Sequence, residues 1–137
     1  MVNSKKPILL VEDDRVDAMT VKRALREINV ANRLDVVQDG EEALEFLRNP
    51  DNERPAIILL DLNMPRMNGI ELLRVMKSDD ALRSIPVIVL TTSKADQDRI
   101  ESFNLSVAGY MLKPVDYLQF VEVMRIVNLY WTLSELP

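Results

Sequence analysis

A chain of 137 residues, 47% hydrophobic and 28% charged, fits one domain able to bury roughly two thirds of the surface its unfolded form would expose. It contains neither cysteine nor histidine, which excludes disulfides, thiolate metal sites, a cysteine nucleophile and a phosphohistidine of its own, and leaves oxygen as the ligand and nucleophile chemistry. The formal net charge of -5 argues against direct nucleic-acid binding; no apolar run approaches the ~20 residues of a membrane span, so no membrane partner is expected and the cytoplasm is the default location.

Ile8 to Val11 reads as a first strand, ended by Glu12-Asp13-Asp14. Ala18, Val21, Leu25 and Ile28 then recur at helical spacing. Arg33 to Val37 is the second strand, and Asp39 followed by Glu42 resembles a capping box opening a helix through Leu47. Ala56 to Leu60 is the third strand, with Asp61 directly behind it and a turn following as far as Gly69. Leu72, Leu73 and Met76 mark a third helix, and Val87 to Thr91 a fourth strand. Ile100 and Phe103 mark a fourth helix, Ala108 to Leu112 a fifth strand, and Val115 to about Tyr130 a fifth helix.

Three of the strands are nearly continuously apolar, as strands covered on both faces must be, so the class is α/β with a five-stranded parallel sheet and helices on both faces. Right-handed crossovers make the sheet doubly wound, with 2-1-3-4-5 as one of two common strand orders. In that order the winding reverses between strands one and three, and ligands collect beyond the carboxyl ends of those strands. Glu12-Asp13 and Asp61 stand there.

Carboxylates within about 4 Å of one another repel by several kcal/mol at an effective dielectric near 20, so a divalent cation is expected among them. An all-oxygen site suits Mg2+, with Mn2+ as the alternative. Asp13 and Asp61 are expected as direct ligands, Asn63 through its backbone carbonyl, and Glu12 directly or through water. Asp61 is also the expected nucleophile, attacking a phosphoryl group whose other oxygens pair with Lys113 and accept from the Thr91 hydroxyl. Each residue has a plainer reading: Glu12-Asp13-Asp14 as a solvated loop in which Asp14 caps the first helix, Asp61 as a turn residue, Lys113 as a surface lysine before helix-starting Pro114, Thr91 as an ordinary strand residue. Their coincidence at four strand ends favours the site.

The runs ILLVEDD, LLDLNMPRMNG, VIVLTTS and GYMLKP, in that order over about residues 6 to 128, resemble the receiver domain of bacterial two-component response regulators. The resemblance implies the flavodoxin-like fold, Mg2+-dependent phosphorylation of Asp61 by a partner histidine kinase, and slow self-dephosphorylation. It makes Glu12 and Asp13 the acidic pair, Thr91 and Lys113 the phosphoryl-sensing residues and Tyr110 the switch aromatic, with the output surface on helix four, strand five and helix five. Such a chain is an enzyme only in catalysing its own phosphorylation and dephosphorylation. The alternatives are a metal-free interaction module of the pseudo-receiver kind and a haloacid-dehalogenase-type phosphohydrolase. Asn63 argues against the latter, whose phosphatases carry a second acid at that spacing from the nucleophile.

Phe120, Val121, Val123, Met124, Ile126, Val127, Leu129, Tyr130 and Trp131 make the last helix apolar over more than one face, which calls for a second buried surface. The ending YWTLSELP resembles the tails of single-domain response regulators that partner phytochromes. That likeness implies one receiver domain with a C-terminal arm at 129–137, a phytochrome kinase as partner, and a homodimer through helix four, strand five, helix five and the tail. Phe120, Met124, Val127, Tyr130 and Trp131 are the residues expected on the dimer surface; the alternative is an aromatic lid packed on the same monomer.

Overall fold

The computed structural model describes residues 6–30, 32–62, 68–91, 94–102, 104–105, 107–112, 117–119, 121–122 and 124–126. In chain order these form β1 (Ile8–Val11), α1 (Arg15–Glu27), β2 (Leu34–Val37), α2 (Gly40–Arg48), β3 (Ile57–Asp61), α3 (Gly69–Lys77), β4 (Val87–Thr91), α4 (Lys94–Ser102) and β5 (Gly109–Leu112). Residues 117–119, 121–122 and 124–126 are also helical. The sheet is parallel throughout, in the order β2-β1-β3-β4-β5, as the sequence predicts.

Alternation along the strands divides the core in two. Ile8, Leu10, Ile57, Leu59, Ile88 and Leu90 meet Ala18, Val21, Ala24 and Leu25 of α1 together with Val121 and Met124. Leu9, Val11, Ile58, Leu60, Val87 and Val89 point to the opposite face, against Ala43 and Leu44 of α2, Leu72, Leu73 and Met76 of α3, and Ile100 of α4. Both faces are thus covered, which explains the unbroken apolar strands. Each fully buried Leu or Ile contributes about 1.5–3 kcal/mol of transfer free energy.

The strand bounds differ from the sequence reading by single residues. Arg33, Ala56 and Ala108 lie just before β2, β3 and β5, yet their backbones already bond to neighbouring strands: the Ile8 N–H donates to Arg33 O (2.8 Å), Ala56 N–H to Pro7 O (2.9 Å) and Ala108 N–H to Val87 O (2.8 Å). At the other end β3 runs one residue further than expected, so that Asp61 belongs to the ladder and pairs with Leu90.

Helix starts are written in side chains. Asp14 Oδ1 accepts from the Val16 and Asp17 N–H groups (2.8 and 3.0 Å), Asp39 from Glu42 N–H (2.9 Å) and Asn68 from Glu71 N–H (2.9 Å), satisfying amides that have no partner within the helix. Asn29 and Asn104, at φ 62° and 55°, supply the left-handed turns that end α1 and α4. In a parallel α/β sheet these N-termini lie at the carboxyl ends of the strands, so their partial positive charge gathers where the acids do.

Candidate metal and phosphoryl site

Glu12 and Asp13 follow β1 directly, and Asp61 ends the adjacent β3. The Glu12 N–H donates to Val37 O (2.9 Å), which fixes the first acid against β2, while the ladder fixes the third. Carboxylate oxygens of Glu12, Asp13 and Asp61 lie within 4.8 Å of one another. Glu12 is 2% exposed and Asp61 5%, whereas Asp13 faces solvent. Two unit charges at such a separation repel by roughly 3 kcal/mol at an effective dielectric of 20, less where water screens Asp13. Three oxygen donors at this spacing, open on the Asp13 side, match what a hard divalent cation with water in its remaining positions requires.

The run Glu12-Asp13-Asp14 therefore divides its duties. Asp14 caps α1, as the plainer reading holds, and its N–H donates to Glu12 Oε2 (3.3 Å), while Glu12 and Asp13 turn to Asp61.

Gly69 is the residue that sequence reasoning treats only as the end of a turn. Its N–H donates to Leu62 O (3.1 Å), and a Cβ there would lie 2.6 Å from Leu62 Cδ2, 2.8 Å from Leu62 Cα and 3.1 Å from Asp61 O. Only a residue without a side chain lets α3 begin flush against the Asp61–Leu62 peptide. The signal was present as a glycine directly after the Asn68 cap; nothing in the sequence separates a turn glycine from a close-approach glycine.

The other predicted site residues are placed in part. Thr91 is the last residue of β4, paired across the ladder with Leu112, the residue before Lys113 in the chain. Asn63 and Lys113 lie outside the described residues. Tyr110 of β5 is half-buried and packs against the cluster containing Val89 and Ile100. Burial first, and then the negative charge of Glu101 on α4, hold its phenol above the usual tyrosine pKa.

The expected dimer surface is corrected at one position. Met124 is fully buried under the sheet with Val21 and Leu25, so it belongs to the monomer core. Apolar periodicity registers that a residue is buried but not what covers it. Phe120, Val127, Tyr130 and Trp131 lie outside the described residues. Leu118 and Ile126, on the same helical stretch, are 67% and 63% exposed. Among the described residues no helix is long and apolar enough to cross a membrane.

Residues 8–125 match the family described as the response regulator receiver domain. The chain is 35% identical over 133 residues to the response regulator Rcp1 of Synechocystis sp., covering 94% of this chain and 90% of Rcp1. It is similar to the crystal structure of the phosphorylated cyanobacterial phytochrome response regulator RcpA, at 36% identity and a TM-score of 0.85, over 96% of each chain. The Mn(2+)-bound form of Rcp1 is 34% identical with a TM-score of 0.83, over 96% of this chain and 97% of that one.

Proposed function

The chain belongs to the response regulator receiver-domain family, and from that membership we propose that it accepts a phosphoryl group from a partner histidine kinase onto Asp61 in a Mg2+-dependent reaction. The observation that carries this reading is the Glu12–Asp13–Asp61 triangle. Asp61 supplies the nucleophile: its carboxylate oxygen forms a bond to phosphorus as the P–N bond to the donor imidazole breaks, giving an acyl phosphate and returning the imidazole. Glu12, Asp13 and Asp61, joined by the Asn63 carbonyl, would hold Mg2+ or Mn2+, which when bound neutralises charge shared between the acids and the phosphoryl oxygens. Lys113 pairs with one of those oxygens and the Thr91 hydroxyl donates to another.

Movement of Thr91 toward the phosphoryl group leaves room for Tyr110, and the change is read at α4, β5 and the last helical stretch. The reading comprises a single receiver domain with its core over about residues 6–128, acting in the cytoplasm and pairing as a homodimer through that surface and the tail. A phytochrome kinase is the proposed phosphoryl donor, because RcpA is a phytochrome response regulator.

The test is incubation with Mg2+ and acetyl phosphate, or with a phosphorylated kinase, followed by intact-protein and peptide mass spectrometry. One phosphoryl group is expected on the peptide containing Asp61, none after chelation of the metal, and none in Asp61→Asn. Label persisting at the normal rate in Asp61→Asn would assign the acceptor elsewhere.

A further inference from the structure

The outer side of α1 carries apolar surface that no described residue covers. Ala18, Val21 and Leu25 turn inward against the sheet, and at 3.6 residues per turn Val16 and Met19 stand on the opposite side, 70% and 62% exposed. Arg23, the next residue on that side, places its guanidinium 4.2 Å from the centre of the Tyr117 ring, so the bare apolar part of the stripe is Val16 and Met19. Of the methionines whose side chains are described, Met76 and Met124 are fully buried, and Met19 is the one open to reagents in solution.

These two side chains flank the way in to the acid triangle. Glu12 and Asp61 are buried while Asp13 faces solvent, so a donor carried by another protein enters on the Asp13 side. α1 starts at Arg15, directly behind the Asp14 cap, and Met19 lies roughly 8 Å along its axis from that cap. A specific interface covers about 800 Å2 on each partner, a patch roughly 16 Å in radius, so a protein docked over Asp13 covers Val16 and Met19, whereas a small donor touches neither. Resting on the phosphoacceptor reading above, we propose that Met19 is a redox modification site: hydrogen peroxide converts its thioether to the sulfoxide, which obstructs phosphoryl transfer from the kinase without altering the acceptor. In that step an S–O bond forms as the peroxide O–O bond breaks; sulfur loses two electrons, and the other peroxide oxygen leaves as water. A flexible apolar side chain becomes a polar one that holds its water, and the kinase loses an apolar anchor at the rim of the site.

The test treats the protein with hydrogen peroxide, removes the excess with catalase, and compares labelling of Asp61 from two donors: a phosphorylated phytochrome kinase, and phosphoramidate, a small donor with the same P–N bond. Peptide mass spectrometry should find an added oxygen at Met19, with Met76 and Met124 unoxidised. The ratio of the kinase-dependent to the phosphoramidate-dependent rate is expected to fall about three- to tenfold, and methionine sulfoxide reductase should restore it. Met19→Gln, polar without any oxidant, should lower the ratio by a similar factor, and in Met19→Leu peroxide should leave the ratio where it was. A ratio that falls as far in Met19→Leu as in the wild type, an unchanged ratio in protein fully oxidised at Met19, or equal slowing from both donors would overturn the proposal while leaving Asp61 as acceptor. Unoxidised protein labelled by phosphoramidate but not by the kinase would overturn it too, by removing the partner that Met19 meets. Unoxidised protein labelled by neither donor would overturn the phosphoacceptor reading and the role of Met19 with it.

Discussion

Helices α3 and α4 are each nine residues long and lie on the same face of the sheet, yet their described side chains are buried very differently. α3 buries Gly69, Ile70, Leu72, Leu73 and Met76 and is capped by Asn68. In α4, among the side chains described, Ile100 is buried while Ala95, Asp98, Arg99 and Glu101 are exposed. The helix that follows β3 is fastened to it, and the helix that follows Thr91 has a single buried apolar anchor among its described side chains. The proposed function, which keeps the site still while the α4 surface moves, fits this asymmetry among the described residues, since segments with few buried contacts open at the lowest cost.

The contrast can be broken most severely from the α3 side. Leu73→Ala should cost about 2–5 kcal/mol in urea unfolding, whereas Asp98→Ala on α4 should stay within about 0.5 kcal/mol. Comparable losses for the two variants would mean that α4 is as firmly built in as α3. Gly69→Ala follows, at about 1–3 kcal/mol, because its methyl group must displace Leu62 backbone as well as side chain. Since that displacement reaches the Asp61 carbonyl, Mg2+ binding should weaken along with stability; calorimetry showing native Mg2+ affinity would detach Gly69 from the site.

The smallest effect is expected between α4 and β5, where the charge of Glu101 acts on Tyr110. Burial and then Glu101 raise the Tyr110 pKa above its ordinary value of 10.0, so the folded state holds this proton more tightly than the unfolded state does. The resulting stabilisation is complete below the ordinary tyrosine pKa and is lost as pH rises through the folded-state value. Glu101→Gln should lower the Tyr110 titration midpoint partway toward normal, because burial remains. Tyrosinate absorbance, with Tyr110→Phe identifying the signal, measures this; an unmoved midpoint would mean that α4 does not reach Tyr110 electrostatically.

Much of the architecture was legible because its causes are local and repetitive. Runs such as Ile57–Leu60 can only be strands covered twice, and handed crossovers then bring Asp61 beside Glu12 without any knowledge of side-chain packing. What was not legible depends on contacts between distant segments. Met124 and Ile126 are both apolar residues of one helix, yet one is core and the other is 63% exposed, a distinction made by the position of α1. Arg23 over Tyr117 likewise joins residues far apart in sequence, and neither type announces the other.

The place of Asp61 inside the β3 ladder, paired with Leu90, has a mechanical corollary. A carboxylate on a loose loop could swing outward when phosphorylated and dissipate the added bulk locally. Here the backbone beneath it is clamped by strands on both sides and by the flush start of α3, so under the proposed function an added group would not be met by retreat. On the proposed reading, a phosphoryl group added at Asp61 would be accommodated sideways, toward β4 and the helix beyond it, and would give the displacement a defined direction.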